Sequence, residues 1–124
     1  MLNWILAIMT AVLVFLIFRK LFKPKYLKPL TEEEFREGYR KAQLIDVREQ
    51  REFEGGHILG ARNIPLSQLR QRAGEIRPDK PVYLYCQTGS RTYRAAEFLK
   101  KKQNCEDLNF LKGGFRKWSG KIKK

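Results

Sequence analysis

The chain is short of the residues that staple small folds or bind metals. Its 2 cysteines, Cys86 and Cys105, lie far apart in sequence, and His57 is its 1 histidine. That set builds neither a disulfide framework nor a zinc site, and no metal or other cofactor is expected. Acidic residues are also scarce, with 13 Asp and Glu against 26 Lys and Arg, a net charge of +13. The most pronounced absence is local: residues 2–18 carry no charged side chain at all.

That uncharged run is almost entirely Leu, Ile, Val, Phe, Ala and Met, with Trp4 near one end. As a helix it spans about 26 Å, and extension through Leu21 and Phe22, with Arg19 and Lys20 snorkelling, reaches the ~30 Å of a hydrocarbon core. A domain of about 100 residues cannot wrap such a helix on all sides, which argues against a buried core element. A cleaved signal would carry basic residues ahead of the apolar run. Here they follow it, as Arg19, Lys20, Lys23, Lys25 and Lys28. The positive-inside rule therefore predicts an uncleaved anchor over residues 1–22, in contact with the lipid bilayer through residues 2–22, with its N-terminus outside and the rest of the chain in the cytoplasm.

The same distribution explains much of the charge without nucleic acid. The juxtamembrane cations suit anionic headgroups, whereas Lys100-Lys101-Lys102 and the tail over 121–124 read as a solvated helix end and a frayed terminus. No aromatic platform or recognition motif accompanies them, so no nucleic-acid partner is expected.

Residues 23–30, with two prolines, read as a basic linker. A single domain follows over 31–120. Thr31-Glu32-Glu33-Glu34 is a capping box that starts a helix running to about residue 39. Leu44-Ile45-Asp46-Val47 reads as a strand, 50–54 as a short helix ended by Gly55-Gly56, 61–64 as a strand closed by Pro65, and 67–73 as a helix capped by Ser67. Val82-Tyr83-Leu84-Tyr85 is a further strand, 92–102 a helix and Leu108 to Leu111 the last strand, before a terminal helix at 115–118. Strands alternating with helices predict an α/β fold, a parallel sheet with helices on both faces, whose sites lie at the carboxyl ends of the strands.

Cys86 stands at such an end. It is followed by Gln87-Thr88-Gly89-Ser90-Arg91 and at once by a helix, so the thiol faces a concave turn of backbone N–H groups and the positive end of a helix dipole, a setting that favours thiolate over thiol. The amides of Gln87, Thr88, Gly89, Ser90 and Arg91 are expected to converge on the sulfur, with Gly89 supplying a backbone conformation costly for other residues. Arg91 is expected to offer its fork to an incoming oxyanion.

Four motifs in order carry a resemblance. Leu44-Ile45-Asp46-Val47-Arg48-Glu49, then Glu52-Phe53-Glu54-Gly55-Gly56-His57-Ile58-Leu59-Gly60-Ala61-Arg62-Asn63-Ile64-Pro65, then the Cys86 turn, then Leu111-Lys112-Gly113-Gly114-Phe115 with Trp118, make the region 31–120 resemble a single rhodanese-like domain. The resemblance implies sulfurtransferase chemistry: Cys86 accepts a sulfane sulfur from a small donor such as thiosulfate, becomes a persulfide, and passes the outer sulfur to a thiophilic acceptor. Cell-cycle phosphatases share that fold, and their loop also opens with Cys and closes with Arg. Theirs is longer by a residue, a wider ring suited to phosphate, so phosphatase activity ranks behind sulfur transfer. A membrane-tethered binding or sulfur-carrier module is the other alternative.

The remaining polar residues have quieter readings. Asp46 and Arg48 follow the first strand and are read first as a loop-fixing pair, second as supports behind the site. His57 reads as a loop-fixing histidine, since attack by a thiolate needs no general base. Cys105 reads as an inert buried thiol and Phe115 and Trp118 as core cover. With so short a linker, the site is expected close to the bilayer and its substrates or a protein partner at the membrane.

Overall fold

The computed structural model describes residues 2–21 and 26–124. Helix α1, Leu2–Leu21, is apolar around its circumference and long enough to cross a membrane. Its described side chains are exposed along its length, with no protein core packed around them.

Five parallel strands form the central sheet in the order β1-β6-β5-β2-β4: β1 Leu27–Leu30, β2 Gln43–Asp46, β4 Arg62–Asn63, β5 Val82–Tyr85 and β6 Leu108–Leu111. Helix α2, Glu32–Gly38, packs Phe35 on one face. On the other face lie α4, Leu69–Arg72, and α5, Ser90–Lys102, through Leu69, Ala95, Ala96 and Leu99. Because strand side chains alternate, Ile45 and Leu84 join the α5 cluster while their neighbours Leu44 and Tyr85 join Phe35, Ile58 and Leu111. Each fully buried Leu or Ile contributes about 1.5–3 kcal/mol. Both faces are thus covered, which is why the strands read as continuous apolar runs.

The local signals act as the sequence suggests. The Thr31 hydroxyl accepts from the Glu34 N–H at 3.2 Å, and the Glu34 carboxylate accepts from the Thr31 N–H at 3.1 Å. Helix α3 covers Gln50–Glu54, while β5 and β6 have the limits expected.

Four expectations need correction. Residues Leu27–Leu30, read as linker, form β1, paired in parallel with β6. Pro29 is tolerated because β1 is an edge strand, where a missing N–H faces no neighbour. The supposedly frayed tail contains β7, Ile122–Lys123, paired antiparallel with β3, His57–Ile58, and the Leu59 N–H donates to the Lys121 carbonyl at 3.1 Å. Ser67 caps no helix. It lies in a 3₁₀ turn, Leu66–Gln68, and its hydroxyl donates to Glu49 at 3.1 Å, so α4 begins only at Leu69. The terminal helix is a single 3₁₀ turn, Phe115–Lys117. The expected anchor's Phe22 and the linker residues 23–25 lie outside the described residues.

Candidate active site

Strand β5 lies in the middle of the sheet, between β6 and β2, and delivers Cys86 from its carboxyl end. The side chain turns inward against the α5 cluster and the residue is 1% exposed. Gly89 then reverses the chain at φ 114°, in the left-handed region that side chains avoid, and α5 starts at the next residue. The Thr92 hydroxyl donates a short hydrogen bond to the Gly89 carbonyl and holds that reversal in place.

The convergence of amides is narrower than expected. Of the five, the Gly89 N–H alone reaches hydrogen-bond distance of Cys86 Sγ, at 2.9 Å. Gly89 is buried, Gln87 and Arg91 are half-buried, and Thr88 and Ser90 are exposed at the rim. Ser90 and Arg91 open α5, where backbone N–H groups have no partner within the helix and remain for a ligand.

The turn is pinned from behind by two elements distant in sequence. The Phe115 N–H donates to the Cys86 carbonyl at 2.8 Å and the Arg116 N–H to the Gln87 carbonyl at 3.1 Å. This approach requires Gly114, whose φ is 70° and where an added Cβ would stand 2.7 Å from the Cys86 carbonyl oxygen and 2.5 Å from that of Gln87. Gly114→Ala is expected to push the Cys86 turn out of place, at a stability loss of roughly 1–3 kcal/mol. Thermal melts and the alkylation rate of Cys86 beside the parent check this, and parent values for both would show that the turn does not depend on this contact.

Asp46 and Arg48 form the second support. The Arg48 guanidinium grips both carboxylate oxygens of Asp46, with Nη2 at 2.7 Å from Oδ2 and Nε at 3.0 Å from Oδ1. Nη1 donates to Gln87 Oε1 at 3.1 Å and Nη2 to the Gly56 carbonyl at 2.7 Å, while the guanidinium lies over the Phe115 ring at 4.2 Å. Burial works against the Arg48 charge, but the hydrogen bonds and charge of Asp46 outweigh it and hold its pKa above the usual arginine value. Nearby, burial and the Asp46 charge push the Tyr85 phenol far up. It stays neutral, and its oxygen accepts from the Ile58 N–H at 3.0 Å.

Arg91 is not the free fork expected. Its Nη1 donates to Glu52 Oε1 at 2.7 Å and its Nη2 to Oε2 at 3.3 Å, so α3 supplies a carboxylate to the rim of the site. The Arg91 hydrogen bond holds the Glu52 pKa below the ordinary carboxylate range, and Glu52 in turn raises that of Arg91. Sequence reasoning missed this residue, although it stands in the quoted Glu52 to Pro65 motif. No local spacing links it to Arg91, 39 positions away.

The quieter readings of other residues match their surroundings. His57 stacks on Phe53 with ring centroids 3.6 Å apart, and its Nδ1 donates to the Phe53 carbonyl at 2.8 Å. Cys105 is buried in the α5 cluster, and burial pushes its thiol up, away from reactivity.

A parallel α/β sheet whose central strand ends in an inward thiol, followed by a glycine reversal and a helix start, is the arrangement of a rhodanese-like domain. The family model of that domain matches residues 31–121, and the chain belongs to this family. The uncharacterized protein YqhL of Bacillus subtilis is 62% identical over 119 residues, covering 96% of this chain and 94% of YqhL. The thiosulfate sulfurtransferase GlpE of Shewanella oneidensis is 33% identical over 79 residues, 64% of this chain and 77% of GlpE. Among solved structures, a rhodanese-related protein from Thermoplasma volcanium superposes with a TM-score of 0.70 at 27% identity, covering 77% of this chain and 97% of that one.

Proposed function

We propose that the protein is a membrane-anchored sulfurtransferase in which Cys86 carries a sulfane sulfur. The observation that carries this reading is the Gly89 N–H directed at Cys86 Sγ at the start of a helix, together with the likeness to a thiosulfate sulfurtransferase. With thiosulfate as donor, the Cys86 thiolate attacks the outer, sulfane sulfur. A new S–S bond forms while the donor's own S–S bond breaks, and sulfite leaves with the electron pair. The persulfide so formed has its negative charge on the outer sulfur, within reach of the free amides at the start of α5. A thiophilic acceptor such as cyanide then takes that outer sulfur, and the Cys86 thiolate departs with the bonding pair. No net oxidation occurs and no cofactor enters the cycle.

Four residues separate Cys86 from Arg91, a ring small enough to suit one sulfur and too small to seat the oxygens of a phosphoryl group well. The deciding experiment incubates the full chain with thiosulfate and reads sulfite release, thiocyanate formation on adding cyanide, and the mass of the Cys86 peptide. A persulfide and thiocyanate are expected. Hydrolysis of an aryl phosphate without sulfur transfer would reverse the ranking, and a Cys86 never persulfidated by any donor would favour a binding module.

Glu52 gives this reading a specific consequence. A dianionic donor must compete with the Glu52 carboxylate for Arg91, so Glu52→Gln is expected to lower KM for thiosulfate several-fold with kcat little changed. A carboxylate with a depressed pKa keeps its pair above the ordinary value of 4.5. The pair is lost only as pH falls through the depressed value, so at neutral pH the competition is always on. Kinetics of wild type and variant across pH check this, and identical KM values would show that Arg91 does not meet the donor.

For α1 we propose the role of an uncleaved anchor, its N-terminus outside and the domain cytoplasmic, supported by the basic residues Arg19, Lys20, Lys23, Lys25 and Lys28 that follow the apolar run.

A further inference from the structure

Five residues, 22–26, join α1 to β1. However they run, the six Cα–Cα steps from Leu21 to Leu27 limit their reach to about 20 Å. The chain therefore arrives at the amino end of β1. Since β1, β6, β5, β2 and β4 are all parallel, every strand of the sheet begins at that end and finishes at the other. Cys86 follows the last residue of β5. It stands one strand length, about 13 Å for four residues, beyond the end at which the tether attaches. A domain of this size is about 30 Å across, so the tether is too short to let it turn over and present Cys86 to the surface from which α1 emerges. The expectation that a short linker draws the site to the bilayer leaves β1 out of account: a tether shortened by β1 holds the amino end of the sheet nearer than the Cys86 end.

The same end bears unpaired cations. Arg40 and Lys41 lead into β2, Lys80 leads toward β5, and Lys102 closes α5 on the way to β6. All four are exposed, and none belongs to an ion pair among the described residues. Three acids there are engaged, Asp79 by Arg77 at 2.8 Å, Asp107 by Lys28 at 3.7 Å and Glu75 by Arg62 at 3.5 Å, while Glu37 and Glu106 belong to no ion pair among the described residues. Beside Arg40 an open groove of about 650 Å³ is lined by Arg36, Tyr39, Trp118 and Lys121. Tyr39 is buried in the Phe35 cluster, so what the groove offers a bilayer is its cations, which anionic headgroups attract.

We propose that the domain docks on an anionic bilayer by the amino-end face of its sheet, with Arg40, Lys41, Lys80 and Lys102 against lipid phosphates and the Cys86 turn held toward water. This rests on α1 being a membrane span. It makes the sulfur acceptor a water-borne thiol or a soluble protein partner, and excludes a lipid-borne one.

The test uses the full chain in vesicles of phosphatidylcholine with phosphatidylglycerol. In a Cys86→Ser background, where Cys105 is buried, a fluorophore is placed through Lys80→Cys at the amino end or Lys112→Cys at the carboxyl end of the sheet. Energy transfer to an acceptor on the lipid headgroups then reports height above the membrane. The Lys80 label is expected nearer the headgroups by about one strand length, roughly 13 Å, and equal or reversed heights overturn the orientation. Arg40→Glu with Lys41→Glu, or vesicles of phosphatidylcholine alone, are expected to shrink the difference. A difference unchanged in both overturns the lipid contact. Flotation separates the two readings: a chain that does not float with the vesicles refutes the span itself, whereas a floating chain with the wrong label order refutes the docking alone.

Discussion

Replacing Cys86 with serine is expected to leave a folded protein that transfers no sulfur. The side chain is buried against α5, and serine only replaces the sulfur by a smaller oxygen, so packing is largely conserved. The Gly89 N–H that now meets Sγ can meet a hydroxyl in the same place. What is lost is chemistry. A serine hydroxyl is not ionised at neutral pH and forms no stable bond to sulfane sulfur, whereas a thiolate both attacks sulfur and leaves it readily. Removal of a covalent nucleophile costs on the order of 10³-fold or more in other enzymes, and the rate of thiocyanate formation is expected to fall by at least that much. Thermal melts of the variant are expected to stay close to those of the parent. The companion measurement is alkylation: Cys86 is expected to react in the folded protein while Cys105 reacts only on unfolding, since burial has raised its pKa. Undiminished turnover in Cys86→Ser would end the proposed mechanism.

Arg48→Ala is expected to be strongly destabilising. Asp46 is 0% exposed, and the guanidinium supplies its compensating charge at 2.7 Å. Truncating one partner of such a pair leaves the other charge buried and unanswered, which costs about 3–5 kcal/mol. Against a total stability of about 5–15 kcal/mol for a small domain, that lowers Tm by roughly 15–30 °C. Function is expected to suffer as well, because Arg48 ties Gln87 of the Cys86 turn to the Gly56 carbonyl. The paired substitution Asp46→Asn with Arg48→Met removes both charges, and is expected to recover a substantial part of the stability without restoring the tie to Gln87. If Arg48→Ala costs less than about 1 kcal/mol, the pair is not the anchor described. Denaturant unfolding of the two variants beside wild type gives the answer.

These two residues show how the chain divides between what is readable locally and what is not. The placement of Cys86 after an apolar strand and before a helix is a property of consecutive residues, and β5, β6, α3 and the capped start of α2 follow from side-chain period and caps acting within a few positions. The capacity of residues 2–18 to span a bilayer is likewise a matter of composition. Asp46 and Arg48 were legible as a pair near a strand end. Their grip on Gln87 was not, because it joins positions 39 apart.

The sequence by itself determined the class of fold, the thiol and its turn, because each depends on short-range sterics and on the order of strand and helix. Tertiary structure alone decided that Leu27–Leu30 is an edge strand despite Pro29, that Ile122–Lys123 closes on His57–Ile58, that Glu52 occupies Arg91, and that Gly114 lets the Phe115 and Arg116 amides hold the Cys86 turn. Those contacts form between segments that no local preference brings together. They exist because a parallel sheet aligns the ends of its strands, and the same alignment sets Cys86 at the end of the sheet opposite the one where the chain enters from α1.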